Sequence, residues 1–110
     1  MSAETRRAKI EAMLADEPQD VFLRYSLALE LQKEGQHDAS LSGLRALMAD
    51  APPYVPAFFM AAQQLVSLGR VDEARGALRD GIEEARRQGN LHAASEMAEM
   101  LSSLGALGGQ

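Results

Sequence analysis

His37 and His92 are the two histidines of this 110-residue chain, the residue type most used for proton transfer and metal binding, and they stand far apart in it. Proton transfer needs a base beside its donor, and a metal centre needs three or four converging ligands. Neither histidine has such company in the sequence, and the chain has no cysteine. No glycine-rich phosphate loop or nucleophile elbow appears. Catalytic, cofactor and metal sites are therefore all expected to be none, and the chain is not expected to be an enzyme. His37 falls at a turn between helices, where a structural role is expected; His92 opens the last helix and is expected to be solvated. The chemistry that remains is recognition. The aromatic residues Phe22, Tyr25, Tyr54, Phe58 and Phe59 all fall between positions 22 and 59. Met60, Met97 and Met100 could add an adaptable surface, although filling gaps in a core is the commoner use of methionine.

Composition narrows the partners. The net charge of −5 has the wrong sign for a duplex or an anionic lipid surface, so nucleic acid and membrane are not expected, local basic pairs such as Arg86–Arg87 notwithstanding. The apolar runs are too short to span a bilayer. The opening MSAETRRAKIEAML lacks an apolar run before a cleavage site and reads as mature sequence. Absence of cysteine fits a reducing compartment, and a cytoplasmic location is expected. An apolar fraction of 46% suits one folded domain over residues 1–110.

Punctuation divides the chain into helices. A first helix occupies residues 1–17. Asp20 is placed to cap a second over 21–34, with Leu23, Leu27, Ala28 and Leu31 on one face, and Gly35 stops it. A third runs over 37–50, with Leu41, Leu44, Leu47 and Met48 inward, until APPYVP breaks the chain. A fourth covers 55–68 and ends at Gly69; a fifth covers 71–88 and ends at Gly89. A sixth covers 90–105, followed by a tail, GALGGQ, expected to fray. No stretch alternates like a strand, so the fold class is all-α.

The chain also repeats itself. Shifted by 34 residues, Pro18, Val21, Ala28, Leu31, Gly35, Asp38, Leu44, Arg45 and Ala51 meet the same residue types at Pro52, Val55, Ala62, Leu65, Gly69, Asp72, Leu78, Arg79 and Ala85. Ala12, Ala15, Asp16 and Pro18 likewise meet Ala46, Ala49, Asp50 and Pro52. A fixed period of this length signals stacked helix pairs, each unable to bury its apolar face alone.

These features resemble the tetratricopeptide repeat. Leu27, Ala28, Leu31, Ser40, Leu44 and Pro52 fill the family's places in one unit. Phe58, Ala61, Ala62, Leu65, Ala74 and Leu78 fill them in the next, and GRVDEA is close to the family's turn. The resemblance implies an α-α superhelix of antiparallel pairs, about six helices in all. Residues 1–17 would be a half-repeat, 18–51 and 52–88 two repeats, and 90–105 a capping helix. Arg24 departs from the family's tryptophan, and Arg86 replaces the closing proline, so the fifth helix should run a turn longer, to about Arg87. Gly43, Gly76 and Gly81 sit inside helices, each a cost of about 0.5–1 kcal/mol relative to alanine.

The resemblance further implies a protein or peptide partner, taken on a concave face lined by the first helix of each pair. It assigns Phe22, Tyr25, Leu29, Gln32 and Lys33 from one unit, and Pro56, Phe59, Gln63, Val66 and Ser67 from the next. Their helical spacing makes each set a stripe, apolar at Phe22, Tyr25, Leu29, Phe59 and Val66. Where some members of the family grip a terminal carboxylate, this chain has Tyr25, Leu29 and Gln63, so that clamp is not expected. Two alternatives stand beside this reading. The last helix could fold over the stripe and make it core. Or two copies could pair as a homodimer through the stripe or through Met97, Met100, Leu101 and Leu104.

Overall fold

The computed structural model describes residues 5–107. Six helices follow one another: α1 (Arg6–Asp16), α2 (Val21–Lys33), α3 (His37–Met48), α4 (Val55–Ser67), α5 (Val71–Arg87) and α6 (Leu91–Leu107). No strand occurs among the described residues. The tail expected to fray from Gly105 is helical through Leu107, and residues 108–110 lie outside the described residues.

Local chemistry places the ends. Thr5, Asp20 and Asn90 each accept a backbone N–H three residues ahead, from Ala8, Leu23 and Ala93. Gly35, Gly69 and Gly89 share one conformation, φ 78°, which a side chain would disfavour. At each of these corners two amides turn back onto the helix just ended, as Gly35 N–H does to Gln32 and Gln36 N–H to Leu31. α5 has no closing proline and extends to 17 residues against 12 in α3, as expected from Arg86.

Each helix packs chiefly on its neighbours in the chain, giving an elongated body of 51 × 29 × 19 Å. Ile10 is the one residue of α1 that is fully buried, whereas α4 buries Val55, Ala57, Phe58, Ala61, Ala62, Gln64 and Leu65. Small residues set the spacing. Ala28, Ala62 and Ala74 are almost wholly buried where helices meet. Gly81, expected to be a cost, is a requirement: a Cβ there would lie 2.6 Å from both the Met97 sulfur and the Phe58 Cβ.

Polar groups stitch the same contacts. The Ser40 hydroxyl donates to the Ala28 carbonyl (2.6 Å) and accepts from Gln64 Nε2 (3.1 Å). His37 Nδ1 lies 2.8 Å from Gln64 Oε1; because Gln64 spends its N–H on Ser40, the imidazole is the donor. His37 thus takes the structural role expected of it, tying α3 to α4. Arg24 exchanges an aromatic's packing for a bidentate ion pair with Asp50 (2.8 and 3.1 Å), which joins α2 to the end of α3. Those hydrogen bonds hold the Asp50 carboxyl below its ordinary range.

Two measurements check this account. A Cβ at Gly76 meets nothing within 4 Å. Gly76→Ala should therefore raise unfolding free energy by about 0.5–1 kcal/mol, while Gly81→Ala should lower it by about 1–3 kcal/mol, both read by urea denaturation. Asp50 binds its proton less tightly folded than unfolded, so its pair stabilises above the unfolded carboxylate pKa of about 3.9 and is lost as pH falls through the folded value. Acid titration monitored by circular dichroism should show a shallower loss of stability below about pH 4 in Asp50→Asn than in the parent.

Candidate functional site

α2, α4 and α6 share one side of the molecule, and a cleft of about 160 Å³ opens between them. Its walls are Tyr25 from α2, Val55, Pro56 and Phe59 from α4, and Asn90, Ala93, Glu96 and Met97 at the start of α6. Tyr25 is held edge-on to Tyr54, ring centroids 5.2 Å apart, and burial, then Tyr54, push its phenol above the usual range. A shallower groove continues along α4 and α6, lined by Phe59, Gln63, Glu96, Glu99, Met100 and Ser103. No lysine or arginine lines either depression.

The expected stripe is divided among three surroundings. Tyr25 and Phe59 meet in the cleft with Pro56, and Gln63 lies in the adjoining groove. Phe22 does not join them: it is 68% exposed and lines a separate groove with Arg6, Lys9, Ile10, Met13, Leu23 and Ser26, between α1 and α2. Leu29 and Gln32 are half-buried on α2 and line neither depression; Lys33 is exposed and pairs with Glu30 at 3.3 Å. Val66 packs half-buried against the core, and Ser67 is exposed.

The last helix bears on both alternatives. It does not fold over the cleft but lies along α5, meeting α4 at a few positions only. There it becomes one wall. Met97 and Leu104, two of the four residues of the alternative pairing face, are 1% and 2% exposed and belong to the core. Arg75 secures α6 by donating to the Leu104 carbonyl at 3.0 Å. Of the residues that α6 brings to the cleft, Asn90, Ala93 and Glu96 carry no signal of a binding role in the sequence. The signal for α6 itself was the Gly89–Asn90 corner, which repeats Gly35–Gln36 and Gly69–Arg70 and so marks another packed helix, not a lid.

His92 is exposed, 3.5 Å from Glu96, and His37 is engaged with Gln64. Among the described residues no group of three or more histidine, cysteine, aspartate or glutamate side chains could hold a metal ion. No described helix is long and apolar enough to cross a membrane.

No protein-family model matches this sequence, and no curated protein does. Solved structures do. The chain superposes with a TM-score of 0.79 on a protein of Bordetella parapertussis solved in solution, at 28% identity over 94% of this chain and 90% of that one. It superposes with a TM-score of 0.77 on the solution structure of a tetratricopeptide repeat domain protein from Salinibacter ruber. That likeness covers 82% of this chain and 91% of the other, at 30% identity. With its paired helices, its period of 34 and this likeness, the chain belongs to the tetratricopeptide repeat family.

Proposed function

We propose that the chain is a non-enzymatic interaction module that takes a protein or peptide segment on the inner face of its stacked helix pairs. The observation that carries this reading is the open apolar cleft, where Tyr25 and Phe59 face Ala93 and Met97 across a gap that no helix fills. In this reading residues 18–51 and 52–88 are the two repeats, 1–17 a half-repeat and 90–105 a cap, and the protein works in the cytoplasm. Tyr25, Phe59 and Gln63 contact the ligand. Leu29, Gln32, Lys33 and Val66 border it, and Phe22 extends the surface toward α1. Both histidines being spoken for in hydrogen bonds or solvent supports a role in binding without catalysis.

Tyr25 and Phe59 also pack on the core, so their removal would confuse binding with stability. Ala93 packs on the core too, but Ala93→Phe removes no contact and fills the cleft instead, and a matching urea midpoint shows that the fold is kept. Peptides selected from a displayed library on the parent protein should bind Ala93→Phe at least about tenfold more weakly, with circular dichroism unchanged. Equal binding by both proteins removes the cleft from the proposal.

A second reading rests on Phe22 and Met13, 68% and 49% exposed on neighbouring helices. Two copies could bury them in a homodimer. Light scattering behind a sizing column separates the readings. The interaction module keeps the 11.9 kDa monomer mass at every load. A dimer that Phe22→Ser dissolves supports self-association.

A further inference from the structure

We infer that the inner face selects a cationic segment: a bulky apolar side chain seated in the cleft, followed by lysine or arginine along the groove toward the C-terminal half of α6. The inference rests on the reading of the cleft as the binding face and adds the chemistry of the ligand.

Three observations carry it. The cleft is apolar on most of its wall, through Tyr25, Val55, Pro56, Phe59, Ala93 and Met97, which suits an aromatic or aliphatic anchor. The groove that leaves it carries two carboxylates, Glu96 and Glu99, and no cation. Glu96 lines both depressions, at their junction. Among the described residues no lysine or arginine pairs with either carboxylate. Glu96 has one charge partner there, His92 at 3.5 Å, which counts only when protonated. Glu99 has no ion-pair partner among the described residues. Several carboxylates elsewhere are paired, Glu73 with Arg70 and Arg45, Asp50 with Arg24 and Glu34 with Arg7, whereas Asp16, Glu17, Asp38 and Asp80 have no ion pair among the described residues; what sets Glu96 and Glu99 apart is their place beside an apolar cleft. Residues three apart on a helix are neighbours, so Glu96 and Glu99 repel one another until a cation lies between them.

The test uses the full chain and three fluorescent decapeptides with blocked ends in a glycine–serine background. The first carries phenylalanine followed by two lysines, the second phenylalanine followed by two glutamates, the third alanine followed by two lysines. Anisotropy should show the first binding at least about tenfold more tightly than either of the others, and weakening as salt is raised. Amide shifts should centre on Phe59, Ala93 and Glu96. The double variant Glu96→Gln, Glu99→Gln, whose sites are exposed, should fold normally and bind the first two peptides equally. If the glutamate peptide binds the parent as well as the lysine peptide, with shifts at the cleft, the cationic preference is overturned and the binding face stands. If no peptide shifts the cleft residues, both readings fall. A concentration-dependent dimer that shifts the same amides without peptide overturns the inference in favour of a second copy as occupant.

Discussion

Everything on the inner face depends on a missing side chain. Gly81 lets α5 approach both of its neighbours at once, with Phe58 of α4 and Met97 of α6 resting on the space that a Cβ would claim. Because both helices seat on the same point of α5, their separation is fixed there, and the cleft between them has the width that this seat allows. Protein interiors are close-packed, so a methyl group at the seat cannot be absorbed without moving a helix. The site is therefore shaped from behind, by a residue that no ligand would touch. The small residues Ala28, Ala62 and Ala74 hold the other contacts to comparable closeness, and the Ser40–Gln64–His37 chain satisfies the polar groups this packing buries.

Charge is sorted between the two sides of the molecule. Arginine–carboxylate pairs bind helix to helix at Arg24–Asp50, Arg7–Glu34 and Arg45–Glu73, away from the cleft. Such exposed pairs contribute little each, and their value is in fixing how neighbouring helices lie. The inner face, in contrast, is lined by tyrosine, phenylalanine, proline, methionine and two glutamates that no lysine or arginine pairs among the described residues. Apolar surface left open and like charges left uncompensated are both costs in the free molecule, and they coincide at one place.

Much of the fold was legible because its signals are local. Asp20, Gly35, Gly69 and Gly89 mark helix ends by what one residue can cap or what φ it can take, and the observed ends fall within a few residues of those read from sequence. The family, too, was legible from the period of 34. What periodicity does not reveal is which neighbour covers an apolar face. Phe22 and Tyr25 fall on one face of α2 by spacing, yet α1 claims the surroundings of the first and α4 with α6 those of the second. Met97 fills a gap in the core, the commoner use of methionine, but spacing alone did not say which helices it would join. Gly81 was misread because a glycine's local cost is visible in sequence, whereas the two side chains that fill its space come from helices distant in the chain. Arg24 reads in sequence only as a departure from the family's tryptophan, because its partner, Asp50, is 26 residues away in the chain.

The nearest-neighbour packing of the helices has a kinetic consequence. Contacts that join segments adjacent in sequence close short loops, so each pair can form without waiting for a distant part of the chain. Such a chain folds rapidly and opens unevenly. α1, which buries Ile10 alone and docks on α2, should exchange its amide protons with solvent sooner than α4, which is packed between α3 and α5. An array with one firm middle and a loose end can lose its first helix and regain it without ever disturbing the cleft.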